Sequence, residues 1–335
     1  MLPSSLSGVR RLLDDRRALR VRRITGSWIY ALIRTVFLLG FAFIILYPVI
    51  IMISKAFMLQ IDIYDNAVLW IPKHFTLSNI KYAIERMDYW RSLLVTAVVC
   101  GTVTAVQVFV CMMVGYGFAR FEFPAKKLLF VLAVLTIVVP PQTMMIPQFF
   151  NFKYFDILGL IRLITGRPGV DMMNSYLPYY ILAVTGQGLR NGLFIFLFRQ
   201  SFRGMPKETE EAAMVDGSGD LGTFLRIMLP SATTLILTVA LFSFVWQWND
   251  TFYANLFVPT GHLLASRYAI YEYGLGTLGT NSETVGSVIF NMGDSRVLTL
   301  LKNGGVFLLM VPLMILYVFL QRFFVEGIDR TGLVG

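Results

Sequence analysis

The sequence predicts an all-α membrane protein, and three observations carry that prediction. Only 15% of the 335 residues are charged while 56% are hydrophobic, against about 25% charged in an ordinary soluble domain. The apolar residues fall in long runs separated by short polar ones, the pattern of helices sized to a bilayer. Lysine and arginine crowd the short segments between runs, as the orientation rule for membrane proteins expects. Spans and their connections use up the length, so residues 28–335 read as one membrane domain behind an Arg-rich segment, 1–27.

That first segment holds Arg10, Arg11, Arg16, Arg17, Arg20, Arg22 and Arg23, opposed only by Asp14 and Asp15. A basic tail beside a span reads as a cytoplasmic anchor near anionic lipid headgroups. The net charge of +9 is therefore no sign of nucleic-acid binding, which wants a basic groove on a soluble fold. The apolar run Thr35–Ile53 is too long for the core of a signal peptide and has no small-residue cleavage site after it, so it is expected to stay in the membrane.

Six transmembrane helices can be drawn, at about 30–57, 92–118, 128–148, 177–200, 231–258 and 303–322. Pro140-Pro141 breaks the third, and Gly186, Gly188 and Gly192 interrupt the fourth. The short segment 119–127 carries Arg120, Lys126 and Lys127 against Glu122, and 201–229 carries Arg203, Lys207 and Arg226, so both are expected inside. Six spans then put both termini in the cytoplasm. The outer segments 58–91, 149–176 and 259–302 are longer, and Trp70, Trp90, Tyr271 and Tyr273 read as an interfacial aromatic belt or a docking surface. Cys100 and Cys111, separated by roughly 16 Å along one helix, cannot pair within it.

Residues 206–230 are too charged to span. Pro206 suits a first helical turn, Glu208, Glu210 and Glu211 suit a helix N-terminus, and Gly217 can close the helix with positive φ. Ser218 can cap a second helix, in which Leu221, Phe224, Leu225 and Met228 fall on one apolar face. A helix–turn–helix on the cytoplasmic side is expected. Its bland reading is a solvated amphipathic loop with an i, i+4 pair, Lys207–Glu211.

This segment resembles the signature loop of ABC importer permeases: Glu211-Ala212-Ala213, three residues, Gly217, nine residues, then Ile227-x-Leu229-Pro230. Seven fixed positions coincide by chance on the order of 10⁻⁸ per start. Gly115-Tyr116-Gly117-Phe118-Ala119-Arg120-Phe121, Trp248-Asn249-Asp250 and Gln321-Arg322-Phe323-Phe324-Val325-Glu326-Gly327, with the ending Gly332-Leu333-Val334-Gly335, are similar to stretches of the carbohydrate-uptake (maltose and multiple-sugar) branch. The resemblance covers roughly residues 28–335 and implies a type I ABC importer permease fold in a bacterial inner membrane, with cytoplasmic coupling helices. It implies that Glu211, Ala212, Ala213 and Gly217 couple to an ATPase. The implied partners are a second homologous permease subunit, two ATPase subunits and an extracytoplasmic solute-binding protein that delivers a sugar. The extended outer loops and the Arg-rich start depart from the family pattern.

Polar groups inside a span are costly and mark a path or a helix partner. Gln187, Arg190 and Asn191 in the broken fourth span are candidates for the substrate path, Arg190 near mid-membrane or, if the span begins near Asn191, at the interface. Trp248, Asn249 and Asp250 are outer-mouth candidates, where amides and carboxylates suit sugar hydroxyls and Trp246 or Trp248 could stack on a pyranose; the competing reading is interfacial anchoring. The chain has no Gly-x-x-x-x-Gly-Lys-Ser/Thr loop, so ATP and magnesium are expected in the partner and no cofactor in this chain. His74 and His262 have no metal-ligand spacing, and no catalytic residue is assigned. An ion-coupled secondary transporter is the alternative, but it should show buried carboxylates in several spans. A permease for a non-sugar solute is another.

Overall fold

The computed structural model describes residues 5–166, 168–277, 282–285 and 288–332. The last three residues of the C-terminal ending, 333–335, and residues 1–4 lie outside the described residues.

The organising element is α3 (Tyr89–Arg120). Its buried residues recur as Thr96, Val99–Cys100, Val103–Thr104, Gln107–Val108, Cys111–Met112 and Gly115–Tyr116, one helical stripe. Leu94, Val98, Phe109 and Met113 on the other side are exposed. Around α3 pack α7 (Leu177–Val184), α8 (Asn191–Gly204) and α12 (Thr233–Asn249). The long helices α1 (Ser5–Ala56) and α15 (Ser295–Gly332) pair beside them, with the short α2 (Ser78–Arg86) against α15. At α3 the backbones approach closely: a Cβ at Gly115 would stand 2.6 Å from Phe198 Cβ and 3.0 Å from Arg199 N on α8. Small residues are what such a helix contact in a membrane requires.

Among the described residues, three helices are long and apolar enough to cross a membrane: Tyr30–Ala56, Tyr89–Arg120 and Ser295–Gln321. A fourth span results if Asp220–Ser231 and Thr233–Asn249, bent by 75°, are one. The expected third and fourth spans are pairs of short helices. The third is α4 (Lys126–Leu135) and α5 (Met145–Lys153), separated where Pro140 takes an extended ψ of 134° before Pro141. The fourth is α7 and α8, separated at residues 185–190. Among the described residues, six continuous spans are therefore not found. The sixth helix starts at Ser295 rather than near 303.

The extended outer segments fold. α6 (Leu160–Thr165) stands in a loop whose ends are bridged between Phe155 and Val170. After α12 come α13 (Phe252–Phe257), α14 (Leu264–Thr277) and an antiparallel hairpin, β1 (Ser282–Val285) with β2 (Val288–Asn291). This hairpin is the one departure from all-α among the described residues. Tyr271 leaves the expected aromatic belt: it is buried, its hydroxyl donating to Leu301 O at 2.7 Å, while Trp70, Trp90 and Tyr273 are exposed. Cys100 and Cys111 are free and buried.

Candidate functional site

Two places concentrate the predicted site residues. The first is the loop after α8. Helix α9 (Lys207–Val215) begins after Pro206 and ends at Gly217, whose φ of +85° is left-handed. The Ser218 N–H reaches back to Ala213 O at 2.9 Å and the Gly217 N–H to Met214 O at 3.0 Å, so the orphan carbonyls of the helix end are satisfied. The second helix is short: α10 (Asp220–Thr223) follows Gly219, not a Ser218 cap, and runs into a π-turn at Phe224–Met228, then α11 (Leu229–Ser231). The expected single apolar face is split. Phe224 and Met228, on one half of that face, are buried, whereas Leu221 and Leu225, on the other half, are exposed.

The i, i+4 pair of the bland reading, Lys207 with Glu211, does not form among the described ion pairs; a different carboxylate in α9 is held. Glu210, one residue before the signature Glu211, is 8% exposed and ion-paired to Arg120 Nε at 2.5 Å. Arg120 also donates from Nη2 to Met205 O at 3.0 Å, so the end of α3 holds both the end of α8 and the loop helix. Behind this junction lies an aromatic core of Tyr116, Phe194, Phe198, Phe202 and Phe224. Glu211, Ala212 and Gly217 face outward, Ala213 inward. Val215, Met214, Leu221 and Leu225 make an exposed apolar rim around them. Glu210 and Arg120 escaped the sequence reading of this site, although the charge of each was visible at a helix end.

The second place is the break between α7 and α8. A cavity of about 430 Å³ opens there, lined by Gln187, Arg190 and Asn191 together with Gln148, Tyr253 and apolar residues of α4. Arg190 sits just ahead of α8 with φ +61° and ψ 20°, left-handed backbone that a non-glycine residue adopts at a cost. Its guanidinium lies 5.7 Å from the centroid of Trp246, which is flanked by Phe194 and Phe242. Asn191 is buried, 3% exposed.

The break is held by Gln107 of α3, fully buried. Its Nε2 donates to Leu189 O at 2.6 Å and to Asn191 Oδ1; its Oε1 accepts from Ser243 Oγ at 2.7 Å and Gln247 Nε2 at 3.1 Å. One side chain thus satisfies groups on three segments, which a low-dielectric interior rewards. Sequence reasoning missed Gln107, Ser243 and Gln247; a lone amide in the second apolar run was the available signal.

Trp248, Asn249 and Asp250 are not brought to this cavity. Trp248 is buried and donates from Nε1 to Leu309 O at 3.2 Å. Asn249 bonds its own helix at Val245 O, and Asp250 accepts from the N–H groups of Phe252 and Tyr253, opening α13. No cluster of metal-ligating side chains occurs among the described residues.

Apolar helices gathered on one hub helix, with a capped helical loop projecting from one end, suit a membrane permease. The chain belongs to the family of binding-protein-dependent transport system inner membrane components, whose pattern matches residues 107–331. It is 27% identical over 304 residues to the probable ABC transporter permease protein YurM of Bacillus subtilis, covering 90% of this chain and 87% of that one. It is 25% identical over 297 residues to the arabinooligosaccharides transport system permease protein AraQ of Halalkalibacterium halodurans, covering 88% and 93%. A crystal structure of a bacterial ABC transporter involved in import of the acidic polysaccharide alginate shares the fold, with a TM-score of 0.65 at 20% identity, over 88% of this chain and 96% of that one. The carbohydrate-uptake branch of ABC permeases suggested by the sequence motifs is thus the chain's family setting.

Proposed function

We propose that this chain forms half of the translocation path of an ATP-driven sugar importer and receives its power through the loop around α9. The observation that carries the reading is the construction of that loop: an outward-facing Glu211-Ala212 and Gly217, rimmed by exposed apolar side chains and anchored from behind by Arg120 and Glu210. Small residues let another backbone approach, Glu211 offers a charge to a basic partner, and the buried ion pair makes α9 move with α3. A separate ATPase subunit, carrying ATP and magnesium, fits that surface. Two such subunits, a second homologous permease and an extracytoplasmic binding protein complete the complex.

In this reading α4 with α5 and α7 with α8 are broken spans, bringing the count to six with both termini cytoplasmic and the chain in a bacterial inner membrane. The names of relatives that transport arabinooligosaccharides and α-glucosides support a saccharide as solute. Gln187, Arg190 and Asn191 line the path; Trp248, Asn249 and Asp250 serve as structural supports at its outer mouth.

The test is a Gly217→Trp variant of the purified complex in vesicles. A Cβ at Gly217 meets nothing within 4 Å, so the chain should assemble in the membrane with only the local cost of a left-handed tryptophan, about 1–2 kcal/mol. ATP hydrolysis should separate from sugar uptake. Normal coupled uptake in this variant, or a purified complex without an ATPase chain whose transport survives a block of ATP hydrolysis, would overturn the reading.

A further inference from the structure

The cations where α4 and α8 meet have no use in the import reading above. Between them the two helices carry Lys126, Lys127, Arg199 and Arg203 and no carboxylate. Lys126 is paired at 2.9 Å with Glu122, four residues earlier. Among the described ion pairs, Lys127, Arg199 and Arg203 have no carboxylate partner. All four stand at the end of the bundle from which α9 projects, since α4 starts at Lys126 and α8 ends at Gly204.

Arg199 lies five residues inside that end of α8, about 7 Å along the axis. Its guanidinium sits over the ring of Phe130 on α4, 3.9 Å from the centroid. Phe196, exposed on α8, stacks beside the same ring at 6.4 Å. The Nε of Arg199 is enclosed without a partner, so binding falls to its terminal nitrogens. Stacking on Phe130 fixes their plane, as suits bidentate contact with phosphate. Arg199 is half-buried, and Arg203, one turn further along the same face, is exposed. The two arginines make a site open at the surface.

Apolar surface continues from it. Leu128, Leu129, Val131, Leu132 and Leu135 of α4 are exposed. Cations at one end of a seam and a bare aliphatic flank beyond them match the two halves of an acidic phospholipid, its phosphate and its acyl chain. An ionised side chain at that depth is costly without a partner, and basic seams between helices accept acidic headgroups.

We propose that the α4–α8 seam binds an anionic phospholipid, its phosphate held between Arg199 and Arg203, with Lys127 adding charge and an acyl chain lying along α4. This rests on the reading of α4 with α5 and α7 with α8 as broken spans.

The experiment titrates the purified importer complex, in lipid-free detergent, with phosphatidylglycerol and with phosphatidylcholine, and counts bound lipid by native mass spectrometry. The same complexes are assayed for sugar uptake in vesicles. Wild type should hold phosphatidylglycerol in preference. R203Q should weaken its tightest phosphatidylglycerol site about fivefold, and the R199Q, R203Q double variant about twentyfold or more, near fivefold for each basic residue removed. R199K, which keeps the charge but loses the stacked fork, should fall between wild type and R199Q. Phosphatidylcholine binding should not change. Equal retention of the two lipids by wild type, or unchanged phosphatidylglycerol affinity in the double variant, overturns the proposal. So does release of the second permease subunit by R203Q, which would give this face to a protein. A complex that binds phosphatidylglycerol as expected but accumulates no sugar on ATP hydrolysis supports this site and overturns the import reading instead.

Discussion

At its C-terminal end α3 is packed dry and aromatic; at its middle it is lined with amides, and the two stretches perform different work. Around Tyr116 and Arg120 the neighbours are Phe194, Phe198, Phe202 and Phe224, with one buried ion pair fixing the loop helix. Three turns earlier, Gln107 faces a broken helix, a cavity and unpartnered polar atoms. A close-packed end transmits displacement, because dense interiors have little slack. A broken, hydrogen-bonded middle can exchange partners and change shape. The same helix therefore joins a stiff input to a deformable path.

The strongest way to break that division is to remove Arg120. Arg120→Gln leaves Glu210 buried without its cation, and losing one partner of a buried pair costs about 3–5 kcal/mol. Thermal unfolding of the purified complex should shift accordingly, and uptake per ATP hydrolysed should fall. A Glu210→Gln, Arg120→Gln double variant should recover part of the stability. If both single variants keep wild-type stability and coupling, the stiff end is not where the input enters. Next comes Gly115→Leu, which forces α3 away from the α8 backbone at Phe198 and Arg199. Overpacking of this kind costs about 1–3 kcal/mol, and it should loosen the aromatic end while the Gln107 network survives. Crosslinking between α3 and α8 near each end would read the difference.

Gln107→Leu attacks the other half of the comparison. It orphans Leu189 O, Asn191 Oδ1 and Gln247 Nε2, each worth about 1–3 kcal/mol when left buried, though relaxation and water will recover part. The expected result is a complex that hydrolyses ATP with the loop end intact but moves solute poorly. Retained uptake would show that the network is only a core contact.

The two regions were not equally legible in the sequence. The loop was readable because its constraints are local: Pro206 starts a helix, Gly217 ends it, and the motif spacing fixes the rest. Its apolar face was misread because period counting shows which residues share a side of the helix, not which half of that side the neighbouring elements cover. The break in the fourth span was visible as three glycines, and Gln187, Arg190 and Asn191 were placed together from their polarity alone. Gln107 was not found, since what makes it central is contact with residues 82 to 140 positions away. Trp248-Asn249-Asp250 are ambiguous for the complementary reason: residues that suit a sugar also suit a helix end and a packing seam, and the contacts of these three are of the second kind.

The smallest expected effect lies at the outer end of α3, and it asks whether that end is as stiff as the loop end. His262 stands 3.5 Å from Asp88 and accepts from Arg267 Nη2 at 3.0 Å through Nδ1. Burial first, then the charges of Arg267 and Arg91, hold its imidazole below the usual histidine range against the opposing pull of Asp88. The unfolded chain therefore binds a proton more readily than the folded one once the pH drops below about 6.5. Stability contributed by the neutral ring is complete above that pH and declines as the pH falls from there through the lower folded value. Thermal melts of the wild-type complex should show this decline, and His262→Gln should flatten it while leaving uptake at neutral pH unchanged. A slope identical in both proteins would mean the ring is free to leave Arg267 when protonated, and that the outer end, unlike the Arg120 junction, yields locally instead of carrying strain along α3.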